Sequence, residues 1–313
     1  MQVILGTMTF SDQVDRDTAA QMIGEFKAAG HHELDTAYVY NKGNTELLLG
    51  ELNRTGVLDD TYLAGKVNPR NEAGLTPEVV DRQLSTSLER LGKDSLDLFY
   101  LHMPDLHTPI ATTLEAVFRH YQAGRFRHFG LSNYAAWQVA EIVELCRHNG
   151  WMEPIVYQGM YNALTRDVER ELLPCLKNYG IKFYAYNPLA GGLLSGKYRS
   201  VNEKPQAGRF ATFDEYPARY WKADYFSVID TIAEACRSEN IAPAAAAIRW
   251  LIHHSKLADD PTGHGVILGA SSLAHLRQNL TACEEGPLPA AIVEALDAGW
   301  EEVRPSCIKY FRP

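Results

Sequence analysis

Cysteine is scarce and unpaired in this chain of 313 residues. The five thiols, Cys146, Cys175, Cys236, Cys283 and Cys307, stand far apart with no C-x-x-C pair. Such spacing speaks against a disulfide framework and offers no zinc-ligand pattern, so reduced thiols and a cytoplasmic location are expected. The start, Met1-Gln2-Val3-Ile4-Leu5-Gly6, lacks a basic leader, and the most apolar later run, residues 241–252, is broken by Arg249. Neither a signal peptide nor a membrane span is expected. Positive charge is also in deficit, with 30 Lys and Arg against 39 Asp and Glu and a formal net charge of −9. That balance argues against nucleic-acid or anionic-membrane partners, and any anionic ligand must find a local basic site. The dinucleotide fingerprint G-x-G-x-x-G is missing as well.

What is present is globular in composition, 46% hydrophobic and 22% charged, so a sizeable core can be buried. Short apolar, β-branched or aromatic runs alternate with longer amphipathic stretches, the rhythm of βα units on a parallel sheet. Eight strands are expected at residues 3–8, 33–37, 62–67, 96–102, 128–132, 155–159, 182–186 and 265–269. Helical stretches lie between them, among them 76–91, opened by Thr76-Pro77-Glu78 with proline at the first helical position, and 135–148. An open doubly wound sheet of this size would leave two edges to cover, so closure into a (β/α)8 barrel is the favoured fold. Residues 1–313 are read as one such domain. Residues 190–222, rich in Gly, Pro, Lys and aromatics, form a long loop after strand 7 with weak helical periodicity. A terminal helix at 290–302 precedes a tail, 303–313, with aromatic and basic residues.

Barrel chemistry collects at the C-terminal ends of the strands. Asp35 ends the second strand with Tyr40 in the loop beyond it, Lys66 ends the third and His102 the fourth. Singly, each has a plain role: a cap, a packed ring, a solvated ammonium, a satisfied imidazole. Together they match one mechanism. A phenol near pKa 10 is a poor proton donor, and a nearby cation such as Lys66 is expected to lower that pKa. Asp35 would hold Lys66 charged and oriented, while His102 would hydrogen-bond a substrate oxygen. Ser132, Asn133 and Gln158 are small polar groups at the next strand ends, suited to an amide such as that of nicotinamide. Tyr186 follows with a flat face. Adjacent histidines, His31-His32 and His253-His254, point apart on any regular element, so no metal is assigned.

At these residues the sequence resembles the aldo-keto reductase superfamily. Asp35-Thr36-Ala37-Tyr38-Val39-Tyr40 matches D-T-A-x-x-Y, Gly130-Leu131-Ser132-Asn133 matches G-x-S-N, and Gln158 matches the sixth-strand glutamine. Residues 184–198 and the ending Tyr310-Phe311-Arg312 resemble the aflatoxin-aldehyde and succinic-semialdehyde reductase branch. The resemblance implies NADPH-dependent reduction of a small aldehyde or ketone, with Asp35, Tyr40, Lys66 and His102 as the tetrad and Tyr186 stacked on the nicotinamide. It also implies cofactor contacts at Asn187, Leu189, Gly191, Gly192 and Lys197. Gly191 to Lys197 satisfies G-x-x-x-x-G-K, yet Tyr198 stands where a P-loop needs Ser or Thr, so the glycines are read as a wrap over a pyrophosphate. Gly269, Ser271, Ser272, Arg277, Gln278 and Asn279 mark the helix start at which the family holds the adenosine 2′-phosphate. Other branches carry Lys at the position of Gly269, which leaves Arg209 and Arg277 as candidate cations here. The tail implies that Arg312 meets an acidic substrate group, with Tyr40 and His102 at the carbonyl and Met8 and Trp221 as apolar walls. The alternative function is an NADPH-holding redox sensor resembling potassium-channel β-subunits; a homodimer stays open.

Overall fold

A computed structural model describes all residues except Asn71, Lys204, Ala207, Phe213 and Pro313. In it the eight apolar runs form β1 (Gln2–Gly6), β2 (Glu33–Asp35), β3 (Tyr62–Val67), β4 (Leu96–Leu101), β5 (Phe126–Ser132), β6 (Val156–Met160), β7 (Lys182–Tyr186) and β8 (Gly265–Gly269). Each strand pairs in parallel with the next, and β8 pairs back onto β1, closing the sheet. Closure leaves no strand edge unpaired. Helices fill the connections, as in the crossover Pro77–Leu91, where the Thr76 side chain caps the start and left-handed Gly92 ends the last turn.

The period of two along a strand sorts the side chains. Ile4, Ala64, Leu98, Tyr100, Val156, Tyr184 and Ile267 form one apolar cluster inside the barrel, while the outward residues pack against the helices. Two residues further along the same strands stand Lys66, His102, Gln158 and Tyr186. The alternation that builds the apolar layer therefore aims those polar groups into the mouth above it. Close packing in the layer has a sequence signature. A Cβ on Gly130 would lie 2.5 Å from the Tyr100 ring, so glycine is what lets that ring lie across the interior.

Strands β1 and β2 end two residues earlier than the sequence suggests. Beyond Gly6 and Asp35 the backbone turns onto the rim: the Thr7 amide donates to the Asp35 carbonyl, Thr36 to Ala64 and Tyr38 to Lys66. After β7, three short turns, Ala190–Ser195, Arg209–Thr212 and Glu215–Tyr220, fold the long segment. Its weak periodicity has a physical reason, since aromatic contacts order it. The Trp221 ring packs on Phe210 at 4.8 Å, Phe226 at 4.9 Å and Tyr198 at 5.1 Å between centroids. The tail beyond Ala290–Val303 is docked. Tyr310 is buried, its hydroxyl accepting from the Ala136 amide at 3.0 Å and donating to Glu171 Oε1 at 2.6 Å. The Arg312 amide then donates to the Asn133 carbonyl at 2.9 Å, which lays the tail over the barrel mouth. Among the described residues no helix is long and apolar enough to cross a membrane.

Candidate active site

The centre of the rim is a buried ion pair. Lys66 Nζ lies 2.5 Å from Asp35 Oδ1 and donates to the Thr36 carbonyl at 2.7 Å, while Gln158 Nε2 donates to Asp35 Oδ2 at 2.7 Å. Both carboxylate oxygens are thus engaged. Lys66 Nζ stands 5.2 Å from the centre of the Tyr40 ring, and the Tyr40 and His102 rings meet edge-on at 6.1 Å. Among the described residues the Nδ1 atom of His102, which is buried, has no hydrogen-bond partner. A polar atom left so costs stability unless a ligand engages it.

Tyr40 opens a tight turn in which Asn41 and Lys42 hold left-handed backbone angles, φ 47° and 57°. That conformation is strained for side chains with a Cβ. Local bonds offset it, for Asn41 Nδ2 donates to the carbonyls of Phe10 at 2.7 Å and Met8 at 3.2 Å. Beneath the turn, Arg90 pairs with buried Glu46 at 3.1 Å and donates to the Tyr38 carbonyl at 3.3 Å. Asn41, Glu46 and Arg90 were not singled out by the sequence patterns; the only local signal is that asparagine tolerates left-handed backbone better than most residues.

Burial and charge set the protonation states. His102 is held well below its ordinary pKa by burial, then by the charges of Lys66, Arg70 and Arg312, so its imidazole is neutral. Burial lowers Lys66, and Asp35 opposes the shift. The expected lowering of the Tyr40 phenol by Lys66 is not what the structure gives. Burial, and next the charge of Asp35, push that phenol well above its ordinary value, with Arg209 pulling the other way. Burial is the larger influence, and Lys66 Nζ is itself held by Asp35 and Thr36. Tyr40 is accordingly a fully protonated phenol at neutral pH.

Along the rim from the tetrad, Asn133 Nδ2 donates to Ser132 Oγ and to the His102 carbonyl, both at 2.9 Å, and its Oδ1 accepts from the Tyr186 hydroxyl at 2.8 Å. Ser132, Asn133, Gln158 and Tyr186 thereby form one connected row with the tetrad. Beyond Tyr186, Asn187 Oδ1 accepts from the Gly191 amide at 2.6 Å, and Leu189 receives the Gly192 amide at 2.8 Å. Gly191 and Gly192 have φ of 72° and 101°, and a Cβ built on Gly192 would meet nothing within 4 Å. The glycine turn thus offers open backbone. Lys197 is exposed, its ammonium 5.6 Å from the Tyr198 ring centre.

Arg209 crosses to β8. Its Nη2 lies 2.8 Å from where a Cβ on Gly269 would be, and its Nη1 donates to Tyr216 at 3.3 Å and Asn187 at 3.4 Å. Ser272 caps the helix Leu273–Glu284 by accepting from the His275 amide at 3.2 Å, and Ser271 Oγ contacts His275 at 3.1 Å. Asn279 is buried and reaches the Gly269 carbonyl at 3.4 Å; Gln278 is exposed. Arg277 is placed apart from this group, its fork held by Glu25 at 2.8 and 2.5 Å. Trp221 donates to the Val201 carbonyl at 2.7 Å within the aromatic cluster. Met8 lies partly buried in the turn after β1.

At the mouth, Arg312 is one of three guanidiniums on a single carboxylate. Glu215 Oε2 lies 3.2 Å from Arg70 and 3.8 Å from Arg312, and Oε1 lies 3.4 Å from Arg219. Sequence reading missed Glu215 and Arg219, which sit one helical turn apart on the short helix Glu215–Tyr220, and Arg70, which reaches them from the loop after β3. Among the described residues no group of three or more His, Cys, Asp and Glu side chains could hold a metal.

The C-terminal rim of the closed parallel barrel thus gathers a buried Asp–Lys pair, a protonated phenol and a neutral imidazole. The aldo/keto reductase family model matches residues 2–301, and the chain belongs to that family. It is 48% identical over 320 aligned residues to aflatoxin B1 aldehyde reductase member 2 of Mus musculus, covering 99% of this chain and 87% of that protein. Identity to Homo sapiens aldo-keto reductase family 7 member A3 is also 48% over 320 aligned residues, covering 99% and 96% respectively. Aflatoxin B1 aldehyde reductase member 4 of Homo sapiens is 46% identical over 319 aligned residues, covering 98% and 96%.

Proposed function

We propose that this enzyme reduces aldehydes to alcohols in the cytoplasm with NADPH, taking short carboxylated aldehydes such as succinic semialdehyde, or dialdehydes. The observation that carries this reading is the setting of Tyr40, a protonated phenol with Lys66 Nζ 5.2 Å from its ring centre and the neutral His102 ring 6.1 Å away. The cofactor supplies the hydride when bound.

The residues present fit that cofactor: an open glycine turn at Gly192 and a guanidinium over Gly269. Ser132, Asn133 and Gln158 would hold the carboxamide and Tyr186 the nicotinamide face. Leu189, Gly191, Gly192 and Lys197 would line the pyrophosphate, and Ser271, Ser272, Gln278 and Asn279 the adenosine end. Arg209 is the better reader of the 2′-phosphate, because Arg277 is committed to Glu25. Met8 and Trp221 would wall the substrate, and Arg312 would meet its carboxylate.

Tyr40 delivers its hydroxyl proton to the carbonyl oxygen as negative charge develops there. His102 donates a hydrogen bond to the same oxygen, and Lys66, kept charged by Asp35, supports both electrostatically. Incubating the protein with NADPH and a panel of aldehydes, while following nicotinamide absorbance, tests the reading. Tyr40→Phe is expected to lower turnover by about 10² to 10⁴-fold, with NADPH binding, followed by fluorescence, nearly intact. A Tyr40→Phe protein with near-wild-type turnover would overturn the tetrad.

A further inference from the structure

The cluster at the mouth contains more than a substrate reader. Arg70 comes from the loop after β3, Glu215 and Arg219 from the turn Glu215–Tyr220, and Arg312 from the tail. Three chain segments that no local pattern connects are therefore tied by one carboxylate. Burial alone would raise the Glu215 carboxyl, yet Arg219, Arg312 and Arg70 bring it below its ordinary range, so it is an anion at neutral pH. The cluster also borders the chemistry. The charges of Arg70 and Arg312 reach His102, and those of Arg219, Arg312 and Glu215 reach the Tyr186 phenol.

The three contacts are unequal. Arg219 is fixed, its side chain 5% exposed and one helical turn from Glu215. Arg70 is 55% exposed but holds Glu215 Oε2 at 3.2 Å, whereas Arg312 lies 3.8 Å from that same oxygen. Arg312 is thus the guanidinium most easily released, and Arg70 draws the shared oxygen away from it.

We propose that Glu215 is an internal carboxylate competing with the substrate's own for Arg312, and that Arg70 sets the balance by holding Glu215 aside, making the two residues specificity-determining. This rests on the reading that Arg312 meets a substrate carboxylate. A carboxylated aldehyde takes the place of Glu215 on Arg312 while Glu215 remains on Arg70 and Arg219. Removing the competitor strengthens acid recognition, and removing its holder weakens it.

The test compares the kcat/KM ratio of succinic semialdehyde to 4-nitrobenzaldehyde in the full-length wild-type, Glu215→Gln, Arg70→Met and Arg312→Ala proteins. Partly exposed ion pairs are weak, so the expected changes are modest: roughly a two- to five-fold rise for Glu215→Gln and a fall of similar size for Arg70→Met. Both changes should shrink as KCl is raised toward 1 M, where screening shortens to about 3 Å. Succinate, which cannot react, gives a readout free of turnover: calorimetry on the full chain with NADP⁺ should show tighter binding to Glu215→Gln and weaker binding to Arg70→Met. If Arg312→Ala lowers the ratio and Glu215→Gln leaves it unchanged or lowers it, the competitor role is overturned while the acid-aldehyde reading stands. Should Arg312→Ala leave both the ratio and succinate binding untouched, the acid-aldehyde reading and the competitor role fall together. Thermal unfolding of each variant checks that it is folded, and Arg70→Met keeps the question decidable if Glu215→Gln is not.

Discussion

Lys66 and Asp35 face each other across adjacent strands at 2.5 Å, the lysine side chain wholly buried and the aspartate 5% exposed. Such a pair is costly to half-remove, because the charge left behind has neither water nor partner. Lys66→Met should destabilise the fold by about 3 to 5 kcal/mol, read from denaturant unfolding, and remove most carbonyl reduction. The double variant Asp35→Asn with Lys66→Met should recover much of the stability and none of the activity. Equal stability of the single and double variants would show that the pair is not a coupled unit.

Arg209 should matter more for NADPH than for NADH. A guanidinium binds a phosphate dianion through two parallel hydrogen bonds, with nothing comparable to gain from a ribose hydroxyl. Arg209→Ala is therefore expected to weaken NADPH by roughly 1.5 to 3 kcal/mol, about 10- to 150-fold, with a smaller loss for NADH. Titrations of both cofactors by fluorescence decide it; equal losses would move the phosphate reader elsewhere.

A second buried acid makes stability depend on pH. Glu33 is almost fully enclosed, and burial, followed by the charge of Asp35, raises its carboxyl to about 8. In the unfolded chain it titrates near 4.5. Between those values the unfolded state has released the proton that the folded state keeps, so stability falls as pH rises from about 4.5 toward 8. Glu33→Gln, a neutral isostere, should flatten that decline. Melting temperatures at pH 5.5 and 8.5 measure it, and a wild-type protein as stable at the higher pH as the variant would rule out the buried acid as the cause.

The barrel, and the meeting of Asp35, Tyr40, Lys66 and His102 on one rim, were legible because strands and their ends obey short periods. Apolar runs spaced by helices announce the strands, and Asp35, Lys66 and His102 announce themselves by ending them. The segment after β7 was less legible, since rings such as Trp221, Phe210 and Tyr198 order it through contacts that leave no helical spacing. Arg277 was legible only in part. Its position on the helix after β8 fits a phosphate site, but its direction depends on Glu25, some 250 residues away in the chain. The protonation of Tyr40 was less legible, because proximity to a cation is readable from strand order whereas the depth at which the phenol is buried is not.

The apolar layer inside the barrel, crossed by the Tyr100 ring against Gly130, closes the floor beneath the tetrad. The polar rim therefore rests on a packed apolar base and not on an open channel.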